Sequence, residues 1–351
     1  MSRPTSHDIR AYPWPAEDWL MAAPADVGLD AARLEAAHRY LLDEVPHIDS
    51  LLVIRGGALV FERTMRGMTP DRLHNLKSAT KSVTSLLVGV ALSTGDLAGL
   101  DEPLGYIMPE VFATAGDQAR RAITIRHLLT MRSGLEWAEY GPSAIAMTAS
   151  PDWVRYVLDR PLAHPPGAHF NYSTGDTQLL AAALQTLTGM SLSDYARLYL
   201  FEPLGIARHA WPADPQGVTI GGAELALAPR DLARIGYLTL RRGAWDGAAI
   251  IPPGWIADSH TAHTPLPPQA DDECERLAYG YLWWLRPQAE YDSALAVGYG
   301  GQFAVVVPAL DLVVVMTGDI AAAPEPFRSN RMLCRFNLVE DFIVPAVLDR
   351  P

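Results

Sequence analysis

Lys77-Ser78-Ala79-Thr80-Lys81 is the stretch on which the reading of this chain turns. Lysine and arginine together number 28 in 351 residues, and Lys77 and Lys81 are the only lysines. Arginine keeps its proton in a protein, whereas a desolvated lysine can give its proton up. On a helix, positions i and i+3 share a face, so Ser78 Oγ and Lys81 Nζ can meet at the helix's N-terminal end. Burial disfavours the ammonium form, which is the direction needed to bring an amine of pKa about 10.4 towards a base working near neutrality. The competing reading is a serine N-cap followed by a solvated lysine. Lys77 falls off the Lys81 face and reads as a surface or structural lysine.

Working outward, Val83, Leu86, Leu87 and Val90 recur at helical spacing over Ser78–Leu92, and the opposite face is small or apolar. Such a helix is buried on most sides. Upstream, Leu29–Val45 has Leu34, Ala37, Leu41 and Leu42 on one helical face. The run from Ser50 to Arg63 reads as two strands turned at Gly56-Gly57. Residues 1–28 are rich in Pro and Trp and are expected to wrap the surface.

Downstream, residues 100–225 read as helices broken by Pro and Gly loops, among them Ile125–Met131, Trp153–Leu158, Gln178–Thr188 and Leu192–Leu200. Pro229 opens a helix that runs to Leu240. The last third holds short apolar runs bounded by Gly, Pro and Asp: Gly280–Leu285, Ala294–Gly298, Gln302–Val307 and Leu312–Thr317. These read as successive antiparallel strands, and Arg331–Leu348 reads as a closing helix. The expected fold class is α/β (α+β): an antiparallel sheet flanked by helices, assembled from both ends of the chain. Residues 1–70 and 225–351 would form the sheet domain and 71–224 a mostly helical domain, with the site in the cleft between them.

Composition narrows the function. Apolar residues make up 49% and charged residues 19%, which affords a sizeable core. A net charge of −12 with no basic run speaks against nucleic acid and anionic membranes. Met1–Leu20 lacks the apolar core of a signal peptide, and Cys274 and Cys334 are too few for a disulfide framework. A reduced, cytoplasmic enzyme acting on a small molecule is the expectation. Nothing sets an oligomeric state. His260 and His263 stand in a Pro-rich stretch without a His-Glu-x-x-His pattern, so neither a metal nor a cofactor is expected.

Two further motifs complete the constellation. Asn171-Tyr172-Ser173-Thr174-Gly175 follows Pro165-Pro166-Gly167 and precedes a helical pattern, placing Tyr172 on a loop entering a helix. A phenol near a lysine can relay protons. Tyr299-Gly300-Gly301-Gln302 opens an apolar strand, and the N–H of Gln302 could join that of Ser78 in an oxyanion hole.

With these residues in view, the chain resembles the serine hydrolases of the class C β-lactamase fold, which include esterases, 6-aminohexanoate-dimer hydrolases and DD-peptidases. Ser78 and Lys81 match that family's Ser-x-x-Lys. Tyr172-Ser173-Thr174 matches its Tyr-x-Asn, and Tyr299-Gly300-Gly301 its Lys-Thr-Gly or His-x-Gly. The phrases His127–Leu135, Pro203–Ile206 and Leu227–Gly236 are similar as well, so the resemblance spans residues 30–345. It implies Ser78 as nucleophile, Lys81 and Tyr172 as acid and base, and Gln302, Gly301 and Tyr299 at the oxyanion and substrate.

Two departures narrow the substrate. Tyr299 replaces a lysine that attracts the substrate carboxylate in penicillin-binding relatives, and Thr174 replaces an amide that orients substrate. Both point away from β-lactams and cell-wall peptides. Trp137-Ala138-Glu139-Tyr140 resembles the segment of 6-aminohexanoate-dimer hydrolases that brings a second tyrosine to the substrate, which implies a binding role for Tyr140. Trp283 and Trp284 alternate across a strand, with one expected in the core and neither assigned to the site. The expected function is hydrolysis of carboxylic esters or small amides. The alternatives are a 6-aminohexanoate-oligomer amidase, a weak β-lactamase, or a non-catalytic ligand-binding relative. The absence of Gly-x-Ser-x-Gly disfavours an α/β-hydrolase.

Overall fold

The computed structural model describes residues 14–15, 18–112, 118–265, 277–287, 290–324 and 337–350. The first thirteen residues, the two cysteines and the start of the expected closing helix lie outside the described residues.

Helix α1 (Ala31–Glu44) opens on Asp30, whose carboxylate accepts the N–H of Ala32 and so caps the helix. It buries Leu34, Ala37 and Leu41, while Leu42 is exposed rather than sharing their face. Strands β1 (Ile48–Arg55) and β2 (Ala58–Thr64) form the expected hairpin. After the short β3 (His74–Asn75) comes α2 (Thr80–Thr94), which carries Lys81.

The helical stretch contains α3 (Leu104–Ile107), α4 (Gln118–Arg121), α5 (Ile125–Leu129), α6 (Pro142–Ala149) and α7 (Trp153–Leu158). It continues with α8 (Thr174–Thr188) and α9 (Leu192–Ala196). Helix α8 begins four residues earlier than its apolar pattern suggests, because Ser173 caps it by accepting the N–H of Asp176. Its small polar first turn hides the helical period. Strand β4 (Ala226–Leu227) pairs with β3, and α10 (Pro229–Leu240) follows.

The remaining elements are β5 (Ala244–Trp245), β6 (Ala248–Ala249), α11 (Pro253–Ser259), β7 (Thr264–Pro265), β8 (Ala278–Tyr279), β9 (Trp284–Arg286), β10 (Ser293–Gly298), β11 (Gln302–Val307) and β12 (Leu312–Gly318). The run Gly280–Leu285 is not one strand. Leu282 adopts φ 60°, and the N–H of Gly280 bonds to Trp283 O, so the chain turns between β8 and β9. The closing helix is short: helical turns cover Val339–Ala346, and Val347 is extended in a bridge to Leu29.

The sheet has eight strands in the order β2-β1-β12-β11-β10-β9-β8-β7, paired antiparallel throughout. Its first two strands come from the N-terminal part and the rest from the C-terminal part, as expected. β1, β11 and β12 are buried along their whole length, so both faces are covered. Helix α10 packs on β11 and β12, and Gly236 sits so close to Val313 that a Cβ there would lie 2.6 Å from Val313 Cγ1.

Helix α2 is buried from Thr80 to Ala91 despite its hydroxyls. Three of them find partners outside the helix: Ser82 Oγ donates to Leu282 O, Thr84 Oγ1 donates to Gly221 O, and Thr80 Oγ1 accepts from Leu225 N–H. Buried polar groups satisfied in this way fix the helix rotation and therefore the direction in which Lys81 points.

Candidate active site

Ser78 lies in a tight 3-10 turn, Lys77–Ala79, that runs into α2. Lys77 is held at φ 48°, a left-handed conformation uncommon for a lysine and a common mark of functional turns. Its backbone N–H bonds to Asn75 Oδ1, and its ammonium pairs with Glu224 at 2.6 Å. Asn75 Nδ2 donates to the same carboxylate at 2.6 Å. Lys77 is thus a structural lysine, as its position off the Lys81 face suggested. The turn leaves Ser78 half-buried and reachable from solvent.

Lys81 is 1% exposed. Its Nζ lies 3.1 Å from Ser78 Oγ, 2.9 Å from Thr174 Oγ1 and 2.9 Å from Gly222 O. The nearest carboxylate oxygen, Glu139 Oε1, is 3.9 Å away. Burial pushes the amine down to about 8, and Glu139 opposes that fall. The i, i+3 geometry expected from the sequence is therefore present, with the lysine enclosed by protein.

Tyr172 is buried just before α8. Its phenol is near enough to the Ser78 hydroxyl for that group to favour the ionised form slightly, and Lys81 Nζ lies 4.9 Å from its ring centre. Burial holds the phenol well above its ordinary value of about 10, with Tyr279 and Glu139 adding to the shift. Its ring stacks on Trp284 at 5.4 Å and meets Tyr279 edge-on at 6.0 Å. Behind it, burial raises Asp176 to about 7, and Ser133 Oγ donates to that carboxyl at 2.7 Å. This bond ties the loop after α5 to the first turn of α8.

The third motif is placed differently from its neighbours. Gly298, at the end of β10, abuts the turn that carries Ser78: a Cβ on it would lie 2.0 Å from Leu76 O. The turn that follows leans towards β1, with Gly301 against Ile48 and Gly300 against Ile320. Tyr299 is half-buried. Gln302 sits opposite Gly298 in the β10–β11 hairpin, fully buried, with its amide donating to Gly300 O and Gly318 O. Tyr140 is 62% exposed, close enough to Tyr172 to influence its phenol. Ser78, Lys81 and Tyr172 therefore converge, Gly298 joins them, and Gln302 lies inside the sheet.

Four residues that touch or flank this cluster were given no role in it from the sequence. Glu139 stands beside the quoted Tyr140, Thr174 occupies the motif position of an absent Asn, and Gly222 contributes only a carbonyl. Trp284 is the member of the tryptophan pair that reaches Tyr172, whereas Trp283 is fully buried against His260. Strand alternation predicts that the two face opposite ways, but which one faces the site depends on register. Among the described residues, no group of three or more His, Cys, Asp or Glu could hold a metal. No helix among them is long and apolar enough to cross a membrane.

Comparison with known proteins follows the same lines. The sequence model of the family described as Beta-lactamase matches residues 48–333. The 6-aminohexanoate-dimer hydrolase of Paenarthrobacter ureafaciens is 24% identical over 327 residues, covering 86% of this chain and 81% of that protein. Esterase EstB of Burkholderia gladioli is 29% identical over 198 residues, half of each chain. A putative 6-aminohexanoate-dimer hydrolase from Bacillus anthracis superposes with a TM-score of 0.73 at 20% identity, over 96% of this chain and 87% of that one. EstCE1, described as a hydrolase with promiscuous acyltransferase activity, superposes with a TM-score of 0.71 at 17% identity, over 89% and 98% of the two chains.

Proposed function

Because the chain belongs to the beta-lactamase family of serine hydrolases, we propose that it cleaves carboxylic esters or small amides through an acyl-enzyme on Ser78. The observation that carries this reading is the enclosed Lys81 amine 3.1 Å from Ser78 Oγ. In the resting site Lys81 accepts the proton of Ser78 as the serine oxygen bonds to the substrate carbonyl carbon, and the carbonyl electrons move onto its oxygen. The backbone N–H of Ser78 and an N–H of the Gly298–Gln302 hairpin would stabilise that oxyanion. Tyr172, kept protonated by burial, gives its proton to the leaving group, and water then releases the acid.

The surroundings favour an uncharged acyl group. Tyr172, Tyr279 and Trp284 form an aromatic wall. Lys77 is committed to Glu224, so neither lysine is free to attract a substrate carboxylate. An amide substrate is the second reading, favoured by the likeness to 6-aminohexanoate-dimer hydrolases over most of the chain. A panel of short-chain p-nitrophenyl esters, linear amides and nitrocefin, run on wild type and Ser78→Ala, tests both. Ester or amide turnover lost in the mutant supports the reading. Nitrocefin turnover equal to ester turnover would contradict the substrate assignment.

A further inference from the structure

We propose that Thr174 and Glu139 are positioning residues that hold the Lys81 amine with its lone pair facing Ser78. The proposal rests on Ser78 being the nucleophile and explains how a flexible amine is aimed at it.

The geometry follows from counting protons. Lys81 Nζ has three neighbours within hydrogen-bond reach: Gly222 O, Thr174 Oγ1 and Ser78 Oγ. A carbonyl only accepts, so Gly222 takes one N–H. Thr174 has a single hydroxyl proton, and its Oγ1 is also hydrogen-bonded to Glu139 Oε1. A carboxylate only accepts, so the threonine proton goes to Glu139. Thr174 Oγ1 can then meet Lys81 only as an acceptor and takes a second N–H. A neutral amine has two N–H groups and one lone pair. Both N–H groups are used, and the lone pair is left for the hydroxyl proton of Ser78.

Glu139 is itself fixed. Its Oε2 accepts the indole N–H of Trp137 at 2.6 Å and the backbone N–H of Thr174 at 2.8 Å. Asn171 Nδ2 holds Trp137 O at 3.0 Å, so the loop that carries Glu139 is tied to the segment that carries Tyr172. The carboxylate is 14% exposed and cannot turn away without breaking these bonds. When Lys81 takes the serine proton, the resulting ammonium keeps both existing bonds and donates its third N–H to the serine oxygen. One hydrogen bond reverses, and nothing else in the cage has to move. Preorganisation of this kind lowers the cost of charging a buried group.

Threonine stands where related enzymes carry an asparagine amide. An amide at 174 supplies both donors and an acceptor and would leave the polarity towards Lys81 open. The hydroxyl locked by Glu139 leaves one polarity. The ionisable groups against Lys81 are Glu139 and Tyr172, from the loops before α6 and α8. The Lys77–Glu224 pair lies beyond the Ser78 turn.

The test compares Thr174→Val, Thr174→Ser and Glu139→Gln by kcat and by the pH dependence of kcat/KM on a short p-nitrophenyl ester, with thermal melts to establish folding. Thr174→Val is expected to lose about a hundredfold in kcat, the scale of a misdirected general base, and Thr174→Ser to recover most of it. Glu139→Gln removes the carboxylate that favours the ammonium, so its acidic limb should move about one pH unit lower, and its plateau kcat should fall. The proposal is overturned if a folded Glu139→Gln keeps the wild-type limb, or if Thr174→Ser is no better than Thr174→Val. Because the Glu139→Gln limb and the serine variant decide independently, a poorly folding Thr174→Val does not rescue the idea. Full turnover in Ser78→Ala would instead defeat the nucleophile assignment. Loss there with wild-type behaviour in all three variants defeats only the positioning role.

Discussion

Trp284 stacks on Tyr172, with ring centres 5.4 Å apart and planes 30° from parallel. The tryptophan comes from the sheet and the tyrosine from the segment entering α8. Their contact joins the two regions of chain that form the site and shields the phenol from water. The proposed proton donor is thus kept neutral by the same packing that holds it in place.

Replacing Tyr172 with Phe keeps that stack and removes the proton. The expected outcome is a loss of 10²–10⁴-fold in kcat on substrates with poor leaving groups. The loss should be much smaller on p-nitrophenyl esters, whose leaving group needs no acid. The melting temperature should change little. An equal loss on both classes would show that the phenol acts in the attack on the carbonyl instead.

The pH profile should carry one limb in the accessible range. Lys81 must be neutral to accept a proton, and burial places its pKa at about 8. Activity should therefore rise through pH 8 and level off above it. Tyr172 must be protonated, and its pKa is raised well above 10, so no alkaline fall is expected below that pH. Lys81→Arg should be inactive throughout, because a guanidinium does not give up its proton. A limb near pH 6 in kcat/KM would contradict this assignment.

Gly298 leaves no room for a side chain against Leu76 O. Gly298→Ala should push the Lys77–Ala79 turn away and slow both ester turnover and phosphonate labelling by more than tenfold. The strand itself should survive, so far-UV circular dichroism is expected to match wild type. Unchanged labelling would mean that the turn tolerates the displacement and that its position is less constrained than the close approach implies.

Acid should destabilise the fold. His47, His74 and His260 are pushed down to about 4, in each case first by burial. A histidine with a folded pKa below its unfolded value of about 6.5 binds its proton preferentially in the unfolded chain. Stability is then lost as pH falls from about 6.5 to 4. Asp176, raised to about 7, works the other way and offsets part of the loss. Urea midpoints should decline across that window, and His74→Gln should flatten the decline. A midpoint that is constant between pH 6.5 and 4 would contradict it.

The sequence carried the elements whose periodicity is regular and the motifs whose chemistry is local. Ser78 and Lys81 meet because three residues of helix bring them together, and spacing alone predicts that. The β1–β2 hairpin and the strands β10 to β12 announce themselves by glycine turns and β-branched runs. Glu139, Gly222 and Trp284 were hidden for different reasons. Glu139 acts across 35 residues through Thr174, Gly222 acts by its backbone, and Trp284 depends on which way a short strand faces. The break at Leu282 and the early start of α8 were missed because a left-handed residue and a polar first turn leave no apolar period to read. His260 stands in a Pro-rich stretch of sequence, yet its ring packs edge-on against the buried Trp283 at the end of α11.

The nucleophile is most directly tested by treating the intact protein with a fluorophosphonate and mapping the adduct by peptide mass. The account predicts a single adduct on Ser78, formed faster above pH 8 than below it, and absent from Ser78→Ala together with ester turnover. An adduct on another residue, or undiminished turnover in Ser78→Ala, would contradict it.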